Sequence, residues 1–438
     1  MAFGNLLNLG QLPPNSGYPG NFTPPPMTFG PPPGSFSPPP GIFTAPPGGL
    51  TGGGMSGLIQ QAQQQSSLAL SEQARQHLNP SFDETRAALN NAIENPVPRT
   101  DIQLNPRHEV AVLDTFMGGT PERPAHGFAV ADVLRQTGGL DYDQMAFISD
   151  GDPNFHAPSP ARLLTAPGDA TADQRLDSYI ETLITAGMSQ TNSALEAIAD
   201  QPNAPNLRGV NYSTSGTDLN GFMALNGLAF ERDPAGNRQL TPEGRVIFDA
   251  LGIEHTVEPQ TLIQFAERGI NRFGQVAENS PLVQGQLSRH EDVSRKLQEQ
   301  GIHYTVAAGN DGGVIEEYRA HGIDLSPTAD DNIYANPYNV TVGSLDTMGT
   351  ADPSDDRVAS HSVQDPEVDF LANGVDRQVS VFGLDHSVTG TSFAAPDING
   401  RLVRLSRENP GLSAGAVQNL LRNSAGPPIP GSNIAAIR

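Results

Sequence analysis

The last of the ten histidines is His386, so any hydroxyl nucleophile beyond it must take its base from earlier in the chain. Ser392 is such a hydroxyl. It lies in HSVTGTSFAAPDINGRLVRL, where a Gly-Thr turn runs into Phe393, Ile398, Leu402 and Leu405 at helical spacing. Ser392 therefore stands at a helix N-terminus, and Pro396 is tolerated because first-turn N–H groups have no intrahelical partner. The positive end of the helix dipole favours negative charge developing there. A serine hydroxyl needs a base to become nucleophilic. The best candidate is His126 in RPAHGFAVADVLRQ, which also opens a helix, with Val130, Val133 and Leu134 facing inward. The base in turn needs an anion to fix its tautomer and stabilise its imidazolium. Asp114 qualifies, because the apolar run Val110-Ala111-Val112-Leu113 delivers it to the C-terminal end of a strand. Asn310 likewise ends a run, Tyr304-Thr305-Val306-Ala307-Ala308, after Gly309.

The elements that must position these groups follow from the pattern around them. From about Asp101 onward, strand-like runs such as EVAVLD, QMAFIS, LRGVNYS, HYTVAAGN, YNVTVGSL and VDFLA alternate with amphipathic helical runs. That alternation predicts an α/β domain, a doubly wound, mostly parallel sheet with helices on both faces. In such a sheet strand C-termini and helix N-termini share one edge, so all four groups can converge on one crevice. The catalytic region is expected over 101–425. Between about 219 and 300 there is too much helix for one crossover, so an extra helical subdomain or lid is expected; Thr241 as N-cap, Pro242 in the first turn and Gly252 past the end mark one of its helices.

Ahead of this region, residues 58–100 read as a short helical segment, with Ser81 and Glu84 at capping-box spacing and Pro96 as a stop. Residues 426–438 are expected as a C-terminal tail. Residues 1–57 are different in kind. The first charged residue is Glu72, and four seven-residue units, NFTPPPM, TFGPPPG, SFSPPPG and IFTAPPG, place Phe22, Phe29, Phe36 and Phe43 in register. Triple prolines favour extended polyproline II and Gly breaks it, so this is a disordered Pro/Gly-rich tail without a core. It reads as a spacer; the other reading is a segment that docks an unknown protein.

Composition removes whole classes of chemistry. The formal charge of -23, from 48 Asp plus Glu against 25 Lys plus Arg, excludes a nucleic-acid partner. Without Cys there is no disulfide, thiolate catalysis or Cys-ligated metal, and with Lys296 the sole lysine a Schiff base is implausible. No stretch reaches the roughly 18 apolar residues of a membrane span. The opening MAFGNLLNLGQLPP has no basic region before an apolar core, so no signal peptide is read, leaving a cytoplasmic place and signal-independent export both open.

These motifs resemble the subtilisin-like serine peptidases, or subtilases: GTSFAAP around Ser392, HGFAVA around His126, VAVLDT around Asp114, AAGNDGG around Asn310 and VNYSTSG around Ser213, in the family's order Asp, His, Ser. The resemblance implies a serine endopeptidase with Ser392 as nucleophile, His126 as general base and then acid, and Asp114 as its orienting carboxylate. It implies that Asn310 and the Ser392 backbone N–H hold the oxyanion. Ser213, Thr214, Ser215 and Gly216 would pair with an extended protein or peptide substrate. Ser215 falls where the family usually has a pocket-lining Gly, which favours a small or polar side chain before the cut bond. An α/β-hydrolase is excluded, because it requires a His later in the chain than its Ser.

The chain also departs from the family. Phe116 replaces a Gly, Ala129 a second His, Asp397 and Asn399 a His and a small apolar residue, and Asn373 a Pro, while only twelve positions separate Asp114 from His126. The shortened loop is the family's commonest calcium site, and Asp150-Gly151-Asp152 lacks the spacing for six to eight oxygen ligands, so neither metal nor cofactor is expected. A catalytically inactive, subtilase-like binding or scaffold protein remains the alternative.

Overall fold

The computed structural model describes residues 80–438, apart from positions 117–118, 153–154, 156, 202–203, 365, 427–428 and 430–431. The seven-residue repeats and the first part of the expected helical segment, 58–79, lie outside the described residues.

The sheet is built from β1 (Val110–Asp114), β2 (Met145–Ser149), β3 (Gly209–Tyr212), β6 (His303–Ala307), β7 (Val340–Asp346), β9 (Phe370–Asn373) and β12 (Ala435–Ile437). Its order is β12-β9-β7-β6-β3-β1-β2, and every neighbouring pair on that path is parallel. The short β8 (Arg357–Val358) runs antiparallel to β7. Two hairpins stand apart, β4 (Phe230–Arg232) with β5 (Arg238–Leu240) and β10 (Arg377–Val381) with β11 (Leu384–Val388). The central strands are apolar on both faces because helices cover both. Val110 and Val112 face one helical layer, and Ala111 and Leu113 face the other.

The first layer holds α2 (His126–Gly138), α10 (Thr391–Glu408) and α11 (Ala414–Asn423); α1 (Phe82–Glu94) lies elsewhere, against α3 (Arg162–Thr165) and α4 (Ala172–Ala199). In α10 every residue from Thr391 to Gly400 is buried, because the helix is wedged between α2 and the strands β3, β6, β7 and β9. On the opposite face, α4 and α8 (Pro281–Glu299) cover the sheet. Beyond α4, α5 (Asp218–Ala229), α6 (Pro242–Ala250), α7 (Pro259–Asn279) and α9 (Gly312–Ala320) close a core of their own around Phe222, Phe248, Phe265, Phe273 and Tyr318.

The helix signals of the sequence have physical counterparts. Ser81 and Glu84 form a reciprocal capping box, and Thr241 Oγ1 accepts the Gly244 N–H at 2.8 Å. Residues 426–438, expected as a tail, instead supply β12, which adds to the sheet beside β9. Ala435 to Ile437 is too short a run to announce a strand, and its place is set by the exposed edge it pairs with. Among the described residues no helix is long and apolar enough to cross a membrane.

Candidate active site

Asp114 ends β1, and the helix that follows folds back onto the same strand end. The N-cap of α2, Ala125, has no side-chain cap, but the Gly127 N–H donates to the Thr115 carbonyl at 3.0 Å. This bond ties the first turn of α2 to the residue after Asp114. Glycine is required at 127, because a Cβ there would stand 2.4 Å from the Phe116 ring. His126 Nδ1 then lies 2.8 Å from Asp114 Oδ1 and 3.0 Å from Oδ2. A carboxylate only accepts, so Nδ1 carries the hydrogen and Nε2 is the nitrogen able to act as a base.

The imidazole ring stands 5.3 Å from the Phe393 ring, which places it beside the residue that follows Ser392. Ser392 is buried in the first turn of α10. That turn begins at Gly390 with φ +149°, where a side chain would be strained and would also crowd Asn310 Nδ2 at 3.4 Å. Asn310 is locked to the same turn, since its Oδ1 accepts the Thr391 N–H at 2.9 Å and the Thr391 hydroxyl at 3.1 Å. With its oxygen so engaged, the amide turns its Nδ2 donors away from Thr391.

A buried polar chain holds α10 to the sheet. Asn399 Nδ2 donates to the Val210 carbonyl at 3.0 Å and lies 3.1 Å from both the His303 carbonyl and Thr305 Oγ1. Thr305 Oγ1 donates to Asn211 Oδ1 at 3.0 Å, and Asn211 Nδ2 to Ser213 Oγ at 2.8 Å. Gly209 makes room for it, because a Cβ there would meet Asn399 Oδ1 at 2.4 Å. Asp397, another departure from the family pattern, is buried between Arg377 and Arg401.

The four residues expected to pair with substrate are not equivalent. Ser213 is buried and committed to Asn211. The Gly216 N–H donates to Asn332 Oδ1 at 3.0 Å, and its carbonyl accepts the Ile333 N–H at 3.0 Å. Thr214 and Ser215 are part-exposed, and Ser215 Oγ approaches Gly309, next to Asn310. Asn332, far away in sequence, had no local signal.

Two carboxylates escaped the sequence reading of this edge. Asp150 follows β2 as Asp114 ends β1; its N–H donates to the Asp114 carbonyl at 3.1 Å and its Oδ2 accepts from Thr115 Oγ1 at 3.2 Å. Its position after the QMAFIS run was the available signal. Burial and then the Asp114 charge push the Asp150 carboxyl above its ordinary value. Asp311 accepts from Thr217 Oγ1 at 2.6 Å and from Asn220 Nδ2, and burial raises it too. For His126, burial opposes the charged ring, but the charge and hydrogen bond of Asp114, with the charge of Asp150, outweigh it and hold the imidazole above its ordinary 6.5. His290, His303 and His361 are buried within the fold, and burial lowers each to about 4. Among the described residues no group of three or more His, Cys, Asp or Glu is arranged to hold a metal ion.

Residues 242–434 match the model of the subtilase family, a span that includes Asn310 and Ser392 and begins after Asp114 and His126. The chain is 31% identical over 144 residues to the serine protease AprX of Bacillus subtilis (strain 168), covering 28% of this chain and 30% of that protein. It is therefore matched to less than a third of that relative's length. Similar solved structures include a cold adapted subtilisin-like serine proteinase (16% identity, 78% of this chain and 92% of that one, TM-score 0.34) and MycP1 from the ESX-1 type VII secretion system (16% identity, 82% and 83%, TM-score 0.34).

Proposed function

We propose that the chain is a subtilase-type serine endopeptidase acting on protein or peptide substrates, a reading supported by the match of residues 242–434 to the subtilase family model. The observation that carries this reading is the His126–Asp114 pair at 2.8 Å, with the imidazole ring 5.3 Å from the Phe393 ring beside Ser392.

Ser392 Oγ attacks the carbonyl carbon of the scissile bond while His126 Nε2 takes its proton. Asp114 keeps the hydrogen on Nδ1 and stabilises the imidazolium. The negative charge gathering on the former carbonyl oxygen is met by the Ser392 backbone N–H and Asn310 Nδ2, donors fixed before the reaction begins. The tetrahedral intermediate collapses as His126 returns its proton to the leaving amine. Water, deprotonated by His126, then attacks the acyl ester and releases Ser392. Thr214 and Ser215, part-exposed in the expected substrate segment, would pair with an extended substrate backbone.

A fluorophosphonate reports the activated serine directly. The expected result is one covalent adduct, on Ser392, absent in Ser392→Ala and slowed in His126→Ala by several orders of magnitude. An unlabelled purified protein, or an adduct that survives Ser392→Ala, overturns the peptidase reading in favour of an inactive binding protein of the same fold.

A further inference from the structure

Five aromatic rings form a continuous row along the outer flank of α2. Phe382, at the β10–β11 turn, has its ring centroid 5.1 Å from that of Phe128; Phe128 is 5.3 Å from Phe116, Phe116 is 5.3 Å from Phe147 on the edge strand β2, and Phe147 is 6.5 Å from Tyr142. Phe382 is 63% exposed, Tyr142 43% and Phe147 40%, and these are the three exposed aromatics among the described residues. Leu384, also exposed, sits on the same hairpin as Phe382. Single apolar residues in water are ordinary, but convergence on one patch marks an interaction surface. Phe382 even adopts φ +53°, a left-handed conformation that a bulky residue adopts only under constraint.

The chain supplies an occupant that suits this row. Residues 21–48 repeat Phe with two or three prolines in seven-residue units and carry no charge in a chain of net charge -23. A proline-rich helix is preformed, loses little entropy on binding and lays its rings against aromatic side chains. One seven-residue unit in that conformation covers about 22 Å, long enough to cross the whole row, in which Phe128 and Phe147 also approach to 6.2 Å. Reach is no obstacle. The 31 residues between Gly48 and Pro80 can span up to roughly 100 Å. The first described segment also passes the same edge, where Arg99 Nη2 donates to the Ser149 carbonyl at 3.2 Å, two residues beyond Phe147.

We propose that residues 21–48 dock on their own catalytic domain, one proline-rich unit lying along the row Phe382–Phe128–Phe116–Phe147–Tyr142. Docking uses no atom of Asp114, His126 or Ser392, so it stands or falls separately from the peptidase activity.

Because the chain has no cysteine, Ser35→Cys offers a single thiol within the third unit. In the full chain carrying Ser392→Ala, to keep the N-terminus whole, that thiol is labelled with a benzophenone maleimide, irradiated and mapped by mass spectrometry. Adducts are expected within one chain, independent of concentration, on peptides holding Phe128, Phe147 or Phe382. They are expected to be lost in Phe147→Ser/Phe382→Ser. They should be lost equally when Phe22, Phe29, Phe36 and Phe43 become Ala, changes outside the described residues. Adducts scattered over other faces, adducts that join two chains and rise with concentration, or a yield indifferent to both sets of substitutions would each overturn the proposal.

Discussion

On the α2 and α10 side of the sheet, buried polar groups are chained together: Asn399 to Thr305, Thr305 to Asn211, Asn211 to Ser213, and Thr391 to Asn310. Beyond the other face, α4 to α7 and α9 bury rings against rings, with Phe265 4.9 Å from Phe222 and 5.2 Å from Phe248. Burial of rings stabilises without fixing direction, whereas a satisfied buried hydrogen bond fixes both distance and angle. The crevice side therefore fixes the groups proposed to react, and the helical side supplies stability. Buried hydroxyls and the Asn192–His290 pair also lie on the helical side, and one carboxylate there stands out. Asp218, at the start of α5, is buried with Oδ2 unpartnered among the described residues and packed on Gly274 of α7.

The largest test of this division is Phe265→Ala. Truncating a ring that is 2% exposed should lower the folding free energy by about 3–5 kcal/mol, read by urea unfolding. Molecules still folded in buffer should label at Ser392 at the wild-type rate; a labelling defect with unchanged stability would erase the distinction between the two sides. Asn310→Ala should do the reverse. Turnover is expected to fall by about 10²–10³ at nearly constant KM, while loss of the Thr391 bonds costs stability of only about 1 kcal/mol.

Asp218 sharpens the contrast through pH. Burial, then the charges of Asp331, Glu278 and Asp330, raise its carboxyl from 3.8 to about 8. A carboxyl raised on folding contributes stability that is full below its unfolded value and is lost as pH rises through its folded value. Wild-type stability should thus decline between about pH 4 and pH 8 through this group, and Asp218→Asn should remove the decline. The expected gain of the variant at pH 9 over pH 5 is on the order of 4 kcal/mol, measured by thermal unfolding; an equal effect at both values would assign the strain to packing. The smallest effect is Asp150→Asn. Burial disfavours the charged His126, while Asp114 and, more weakly, Asp150 favour it. Removing the Asp150 charge should move the acid limb of kcat/KM to lower pH, by less than about one unit. A shift in the opposite direction would show that the Asp150 charge does not act on the imidazole.

The sequence made the candidate catalytic edge legible for a local reason. Asp114, His126, Asn310 and Ser392 each sit where a strand ends or a helix begins, and apolar periodicity marks such ends. The substrate segment was legible only as a stretch, because whether Ser213 points inward depends on Asn211, and whether Gly216 has free backbone groups depends on Asn332 and Ile333. Helix between 219 and 300 was visible from caps and period. Its packing on α4, which closes a second core beside the sheet, was not, since periodicity gives a helix an apolar face without saying which surface covers it.

By itself the sequence determined the alternation of strands and helices, the order of the reactive residues, and an uncharged repeat ahead of an acidic domain. These are local or compositional properties, carried by propensity, spacing and charge. Tertiary structure alone decided that Asp150 stands beside Asp114, that β12 completes the sheet, that Asn399 ties the Ser392 helix to β3 and β6, and that five rings separated by up to 266 positions form one row. Each of these depends on which distant surfaces meet, and contacts between elements far apart in the chain leave no periodic trace in either of them.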